Sequence, residues 1–244
     1  MDFVYSTNFS VTPLHADCFG RCKASSLLRF SQDAAEQHCH ILGADWNTMA
    51  AKNYFWAVIR QRIEITRLPE TGETITVKTW PMPTTRVAYP RATEGFDAEG
   101  NSLFKVISVW VIMDMVSRSM VLPGKSGVEV LGTSFGTELK APLGLPAGTF
   151  AREEMRRVSF SDLDLNGHMN NTRYLDWLYD LKNADFHKTH PVKAVTICYI
   201  NEALEGQQLH LGYSDGDILR VVGSLSGTDV PPGHTRVFSA QMEF

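Results

Sequence analysis

Cysteine is scarce in this chain of 244 residues, and the thiols are scattered at Cys18, Cys22, Cys39 and Cys198. Imidazoles near the first three invite a metal-site interpretation, but the spacing matches no closed zinc pattern. The sequence also lacks a phosphate-cradling glycine loop and the Gly-x-Ser-x-Gly turn of serine esterases. We therefore expect no metal and no cofactor, and nucleotide hydrolysis and serine esterase chemistry have no support.

Long apolar runs and an excess of basic charge are missing as well. No segment approaches the roughly 18 apolar residues of a membrane span, and the first residues show no basic region followed by an apolar run. With 43% hydrophobic residues, 20% charged residues and a formal net charge of −4, the composition is that of an ordinary globular protein. We expect a cytoplasmic protein that binds neither nucleic acid nor membrane.

One short polar segment, residues 162–171, is the most informative part of the chain; it reads Asp-Leu-Asp-Leu-Asn-Gly-His-Met-Asn-Asn. It places a carboxylate, an amide and an imidazole at alternate positions, Asp164, Asn166 and His168, so that they point roughly the same way. A helix is predicted directly after it, from Thr172 to Phe186, and the unpaired N–H groups of its first turn can face an oxyanion. Such a site can polarise a carbonyl and move a proton.

A structural interpretation of the same segment stays open. Asp, Asn and Gly are favoured in turns and at helix caps, so Asn170, Asn171 or Thr172 can simply cap the helix. The motif by itself does not decide between a catalytic loop and a structural one.

An internal repeat indicates that this loop occurs twice. Residues 11–33 align without gaps with residues 158–180, and each segment places a loop before an apolar-striped helix. The aligned pairs include Asp17 with Asp164, Gly20 with Gly167, Phe19 with Asn166 and Arg21 with His168. The first copy therefore keeps the predicted loop shape but lacks the amide and the imidazole.

Each half is predicted to hold one long helix followed by β-rich runs with turn signals between them. The first helix spans about Ser25–Leu42, and three-to-four spacing puts Leu27, Phe30, Ala34, Ile41 and Leu42 on its buried face; Tyr174, Leu178 and Leu181 do the same in the second. The β-rich runs are Tyr54–Arg67, Glu73–Pro81, Arg86–Phe96 and Ser102–Met115, then Val192–Asn201, Gln207–Tyr213, Ile218–Leu225 and Thr235–Glu243. Because strands and helices do not alternate, an α+β fold is predicted, with an antiparallel sheet wrapped around a helix, made twice.

The boundary between the halves is predicted from composition. Leu139–Phe150 is rich in Pro and Gly and lacks periodicity, which is typical of a linker, and an irregular stretch from Pro123 precedes it. We expect a first domain at 1–138, a linker at 139–150 and a second domain at 151–244.

The segment Asp162–Asn171, followed by Tyr174 and Trp177, resembles the central motif of the acyl-acyl carrier protein (acyl-ACP) thioesterases of plant plastids and some bacteria. The family's first-domain signature is matched by Trp56, Gly72-Glu73-Thr74, Thr79-Trp80-Pro81, and Trp110 with Asp114 and Arg118. The resemblance covers nearly the whole chain. It implies two hotdog domains in tandem and hydrolysis of acyl-ACP to free fatty acid in fatty acid biosynthesis.

The resemblance also implies a catalytic Glu after the second helix, which here is Glu202. From the residues alone, a surface Glu at the end of a strand is the simpler interpretation. If the strand instead withdraws it from water, its pKa rises and it becomes a usable base beside Asp164, Asn166 and His168. Many plant members carry a Cys directly after this Glu, where this chain has Ala203, so an active enzyme must use water or a carboxylate for the attack.

Substrate and partner follow from the resemblance too. It implies that the first domain supplies the acyl-chain pocket, for which Leu27, Phe30, Phe55 and Trp56 are candidates, although an ordinary core position is the simpler interpretation of each. The implied partner is acidic acyl carrier protein, and the basic cluster Arg152, Arg156 and Arg157 is its candidate contact. A solvated charge run is the alternative for that cluster.

Other functions of the same fold remain open. An acyl-CoA thioesterase would share the chemistry, and a non-catalytic acyl-binding protein would need no polar cluster. A hotdog dehydratase normally pairs a His with a carboxylate across a dimer, so a set of Asn166, His168 and Glu202 in one half argues against it. The chain is compatible with a monomer, whereas the family suggests a homodimer.

Overall fold

The computed structural model describes residues 3–145, 150–214, 216–227 and 235–244, and these residues form two compact units, Met1–Pro142 and Leu143–Phe244. The division falls inside the stretch 139–150 that the sequence predicts as a linker. Its described residues, 139–145 and 150, form neither helix nor strand, and 146–149 lie outside the described residues. Among the helices that the structure describes, none is long and apolar enough to cross a membrane.

The first unit packs one long helix against an antiparallel sheet. Its elements are β1 (Tyr5–Ser10), α1 (Ala24–Leu42), α2 (Trp46–Ala50), β2 (Tyr54–Ile65), β3 (Thr74–Pro81), β4 (Tyr89–Phe96), β5 (Ser102–Asp114), β6 (Met120–Val121) and α3 (Pro123–Ser126). The strands are ordered β1-β3-β4-β5-β2, and β6 pairs with the end of β5. Helix α1 lies against β1 and β3 and ends at Gly43, whose φ of 68° suits a residue without a side chain.

The second unit repeats this topology with shorter helices. Its elements are β7 (Arg152–Arg157), α4 (Arg173–Tyr179), α5 (Ala184–Thr189), β8 (Ala194–Tyr199), β9 (Gln208–Tyr213), β10 (Ile218–Leu225) and β11 (Arg236–Glu243). The strand order β7-β9-β10-β11-β8 is the order of the first unit, strand for strand. Tyr174 of α4 packs its ring against Tyr199 of β8 and Phe238 of β11, so the helix lies on the sheet.

A glycine and a phenylalanine face each other across neighbouring strands in both units. Gly95 of β4 pairs with Phe104 of β5, and Gly223 of β10 pairs with Phe238 of β11. Both phenylalanines are fully buried, and each ring occupies the place where a Cβ on its partner glycine would lie. A ring that packs over a glycine on the next strand fixes strand register, and here it does so at the same point of both sheets.

The strands and the first helix are close to their predicted positions. Strand β10 has the predicted bounds, and α1 begins one residue before its prediction. The sequence missed the short elements: β1, β6, β7, α2 and α3. The prediction that Ile41 lies on the buried face of α1 was wrong, because 65% of its surface is exposed in the last turn of the helix.

The second helix was predicted as one element, Thr172–Phe186, and this was wrong. The structure has two short helices, α4 and α5, with residues 180–183 between them. The side chain of Asn183 accepts a hydrogen bond from the N–H of Phe186 at 2.9 Å, and so caps the start of α5. Asn competes with helical hydrogen bonding through such local contacts, which ends one helix and begins the next.

The Gly223–Phe238 pair predicts a site-specific loss of stability. Gly223→Ala should lower the free energy of unfolding by about 1–3 kcal/mol, because the new methyl group overlaps a buried ring. Gly216→Ala is the control in the same unit, since a Cβ there meets open space at an ordinary φ. Urea unfolding of both variants measures the difference; equal stabilities would contradict the packing argument.

Candidate active site

The segment 162–169 folds into a tight loop around the carboxylate of Asp164. Its Oδ1 accepts hydrogen bonds from the backbone N–H of Asn166 at 2.8 Å and of His168 at 3.3 Å. The backbone of Asp164 also bonds to His168 and to Gly167. Gly167 has a φ of 75°, a conformation that a residue with a side chain adopts only with strain. The side chain of Asp164 therefore sets the path of the loop.

The first unit contains the same loop. Oδ1 of Asp17 accepts from the N–H of Phe19 at 2.8 Å and of Arg21 at 3.0 Å, and Gly20 has a φ of 81°. The backbone bonds from Asp17 to Arg21 and from Gly20 to Asp17 match those of the second unit. The repeat seen in the sequence is thus a repeated three-dimensional loop.

Glu202 reaches this loop from the other side. The N–H of Met169 donates to the carbonyl of Ala203 at 2.8 Å, and His168 forms an isolated bridge with Leu204. These backbone contacts bring Oε2 of Glu202 to 3.2 Å from Nε2 of His168. The imidazole is buried, whereas the carboxylate is open to solvent. The sequence therefore identified two side chains that meet, although they are far apart in the chain.

Of the two interpretations of Glu202, the structure agrees with a surface Glu at the end of a strand and not with a carboxylate that the strand withdraws from water. Strand β8 ends at Tyr199, and Glu202 lies in the turn beyond it with 41% of its side-chain surface exposed. The carboxylate is therefore accessible to water on one side and to His168 on the other.

The backbone hydrogen bonds also identify the residue of the first unit that is structurally equivalent to Glu202. Cys22 donates to the carbonyl of Pro69 as Met169 donates to that of Ala203, which makes Leu68 the counterpart of Glu202. The bonds of Val11 to Glu73 and of Val158 to Gln207 give the same alignment. The second unit thus has Asn166, His168 and Glu202 where the first has Phe19, Arg21 and Leu68. Of the four candidate catalytic residues, only the Asp has an identical counterpart in the first unit.

Asn166 contributes an uncommitted amide. Its backbone N–H bonds to Asp164, but no hydrogen bond to its side chain occurs within the described ranges. The side chain is half-buried next to the exposed Leu165. An amide offers both a donor and an acceptor, so this group is available to a water molecule or a carbonyl oxygen.

The start of helix α4 differs from the expectation of free N–H groups. Oδ1 of Asn170 accepts from the N–H of Thr172 at 2.9 Å and from its hydroxyl at 2.7 Å, and the carbonyl of Asn170 accepts from the N–H of Arg173. The capping interpretation therefore holds for Asn170. The N–H groups of Thr172 and Arg173 are therefore occupied rather than directed at a substrate.

Tyr174 is a neighbour of the loop that the sequence identified only as a motif and core residue. Burial raises the pKa of its hydroxyl, and the negative charges of Asp164 and Asp162 raise it further. The phenol therefore stays protonated at neutral pH. Its place directly after the polar segment was the signal in the sequence, but nothing there showed that the two carboxylates act on it.

The candidate substrate residues of the first unit do not form one group. A cavity of about 220 Å³ is lined by Trp56, whereas Leu27, Phe30 and Phe55 do not line it. Leu27 is fully buried, and Phe30 stacks on Phe9 with ring centroids 4.7 Å apart. Phe55 is buried beneath the guanidinium of Arg118.

The three arginines proposed to contact the carrier lie on β7 and face different ways. Arg156 is tied to Glu154 and Asp180 at 2.8 Å each, and it stacks over Trp177. Arg157 is exposed, and no carboxylate in the described ranges pairs with it. Arg152 is exposed as well. The cluster therefore offers two solvent-facing cations and one structural one.

Two family models together match most of the chain. The N-terminal domain of acyl-ACP thioesterases matches residues 2–122, and the C-terminal domain matches residues 149–223. The chain belongs to the acyl-ACP thioesterase family. The family resemblance of the polar segment is thereby confirmed.

Plant thioesterases are among its relatives. The chain is 25% identical over 223 residues to a chloroplastic palmitoyl-acyl carrier protein thioesterase of Gossypium hirsutum, and the match covers 82% of this chain and 52% of that protein. It is 23% identical to an oleoyl-acyl carrier protein thioesterase of Arabidopsis thaliana, over 93% of this chain and 67% of that one. The chain thus spans about half the length of the Gossypium relative.

Solved structures confirm the predicted tandem hotdog fold. An acyl-ACP thioesterase from Bacteroides thetaiotaomicron has a TM-score of 0.81 at 22% identity, covering 99% of this chain and 97% of that one. A 12:0-ACP thioesterase from Umbellularia californica has a TM-score of 0.81 at 19% identity, covering 100% and 97%. At such identities the likeness is evidence for the fold.

The two Asp-centred loops predict structural costs of the same order. Asp17→Ala and Asp164→Ala should each lower the free energy of unfolding by about 1–3 kcal/mol, because each leaves two loop N–H groups without their acceptor. Asp185→Ala, in the first turn of α5, is the control. Chemical denaturation measures all three; a loss confined to one of the two loops would show that the copies are not equivalent.

Proposed function

We propose that this protein hydrolyses the thioester bond of acyl-acyl carrier protein and releases a free fatty acid, as in fatty acid biosynthesis. One observation carries the proposal: the second unit has Asn166, His168 and Glu202, the last two with side-chain atoms 3.2 Å apart, where the first unit has Phe19, Arg21 and Leu68. A loop with only a structural role has no need for this exchange, because the first unit builds the same loop without it.

In this proposal Glu202 is the general base. A water molecule held by its exposed carboxylate and the Asn166 amide attacks the carbonyl carbon of the thioester, and Glu202 takes the proton of that water. The tetrahedral intermediate collapses, the C–S bond breaks, and the thiolate leaves readily because thiols are acidic. The proton taken by Glu202 returns to the sulfur, and His168, whose Nε2 lies 3.2 Å from Oε2 of Glu202, orients the carboxylate.

Asp164 is a positioning residue in this proposal. Its counterpart Asp17 makes the same contacts in a unit that lacks the other polar groups, so these contacts serve the loop in both units. Asp164 holds Asn166 and His168 in place through their backbone N–H groups and does not itself attack the substrate.

The activity is tested by release of free thiol from acyl-ACP and matched acyl-CoA substrates over several chain lengths. We expect faster turnover of the carrier-protein thioesters. If the CoA esters are hydrolysed equally fast, the proposed thioester chemistry stands, but the protein is an acyl-CoA thioesterase and not one specific for the carrier protein. No turnover of either substrate would contradict the proposal and favour an acyl-binding protein.

Replacement by the corresponding amide is expected to affect activity differently at Glu202 and at Asp164. Glu202→Gln should reduce kcat by about 10²–10⁴-fold, since an amide cannot accept the proton; Glu205→Gln, in the same turn, is the control. Asp164→Asn keeps an oxygen acceptor for the loop and should retain most activity, whereas Asp164→Ala should not. If Asp164→Asn is as inactive as Glu202→Gln, Asp164 takes part in the chemistry.

The carrier is proposed to dock near Arg152 and Arg157. Because the chain has a formal net charge of −4, attraction of an acidic carrier has to be local. Arg157→Glu should raise KM for acyl-ACP several-fold at low salt and less at high salt, with kcat unchanged. Arg86→Glu, an exposed arginine of the first unit, is the control. An unchanged KM at low salt would remove β7 from the contact.

A further inference from the structure

The cavity of about 220 Å³ in the first unit combines an aromatic wall with a buried charge. Trp56, Tyr89 and Trp110 supply the aromatic part, and Arg91 of β4 lies in the same wall. A cavity of about 150 Å³ holds one benzene molecule, so this space suits an aliphatic chain of roughly eight or nine heavy atoms.

Arg91 is buried, and the charge of Glu36 acts on it without forming a salt bridge. Only 7% of its surface is exposed, and no carboxylate in the described part of the chain pairs with it. Its contacts are neutral and long: Nη1 lies 3.3 Å from Nδ1 of His38 and 3.3 Å from Oγ1 of Thr79, and Nη2 lies 3.5 Å from Sγ of Cys39. Burial accordingly lowers the pKa of the guanidinium.

These contacts leave donors of Arg91 unused. Guanidinium carries N–H groups on Nε, Nη1 and Nη2. The three contacts account for both N–H groups of Nη1 and one of Nη2, so the Nε–H and one Nη2–H have no acceptor among the described residues. The Nε atom is not one of the fully enclosed polar atoms without a partner, so an oxygen atom of a ligand can reach its N–H.

The two tryptophans of the wall differ in whether their indole N–H has an acceptor. The indole N–H of Trp56 donates to the carbonyl of Ala44 at 2.8 Å. The indole N–H of Trp110 is buried and has no acceptor within the described ranges. That nitrogen has almost no accessible surface, so the unused donors that a ligand oxygen can reach in this wall belong to Arg91.

The remaining charges of the wall decide which oxygen fits. Asp33 and Glu36 of α1 also line the cavity, and both are exposed. With Arg91 they give the wall a net negative charge, which opposes a carboxylate. An uncharged hydroxyl or carbonyl oxygen meets the unused donors without this repulsion.

We propose that this cavity binds an aliphatic chain that carries an uncharged oxygen, a hydroxyl or a carbonyl, and that Arg91 donates to that oxygen. The chain is either the acyl group of a substrate, in which case the inference rests on the proposed function, or a separate alcohol or ketone. The binding test uses ligands without a thioester, so its result does not depend on whether the protein is a hydrolase.

The test compares 2-octanone, n-nonane and octanoate by the change in tryptophan fluorescence, since Trp56 and Trp110 line the cavity. The full chain should bind 2-octanone about 10- to 100-fold more tightly than n-nonane, as expected for a hydrogen bond from a charged donor. Arg91→Met should abolish this preference but still bind n-nonane, which shows that the cavity is intact. Arg86→Met, an exposed arginine, is the control and should behave like the parent.

Three results would overturn the proposal: no preference for 2-octanone, a preference that survives Arg91→Met, or tightest binding of octanoate. The source of the chain is decided by hydrolysis of octanoyl and 8-hydroxyoctanoyl carrier-protein thioesters. A preference for the hydroxylated substrate that Arg91→Met removes identifies the acyl group as the ligand. Equal rates with the binding preference intact identify a separate molecule.

Discussion

The geometry of the candidate active site depends on one interaction, in which the carboxylate of an Asp at the start of a loop accepts hydrogen bonds from two backbone N–H groups. In the second unit this contact holds Asn166 and His168 at the tip of the loop and leaves their side chains free to differ. The glycine that follows allows the loop to close, with a φ of 75°. Since the backbone supplies the shape, the side chains at the tip can change without loss of fold.

The first unit shows what that freedom allows. It has the same strand order, the same Gly–Phe pair and the same Asp-centred loop, yet it has an aromatic ring, a guanidinium and an aliphatic side chain at the three decisive positions. Arg21 is even bonded to Asp17 at 3.2 Å, which occupies the carboxylate further. Comparison of the two halves therefore separates groups that the fold requires from groups that chemistry requires, within a single molecule.

Most of the fold and part of the site could be predicted from the sequence. Strong apolar periodicity located α1 and the long strands, and the repeat located both loops. The short elements escaped because β1 and β7 carry alternate polar residues without a long apolar run, and the break between α4 and α5 depends on one side-chain contact of Asn183. The exposure of Glu202 depends on where β8 ends, and the lining of the cavity depends on packing; neither is encoded in local pattern.

The position after Glu202 shows why the missing thiol does not weaken the proposed chemistry. Ala203 is 1% exposed, and its carbonyl is bonded to Met169, so its side chain lies in the core beneath the loop. A cysteine in such surroundings would be a poor nucleophile, because burial favours the neutral thiol, as it does at Cys22, where burial raises the pKa to about 12. Cys198 is buried in β8 and lies five residues before Ala203 in the chain. The proposed chemistry needs a group that is ionised and in contact with water. The exposed carboxylate of Glu202, 3.2 Å from His168, has both properties, whereas a buried thiol would have neither.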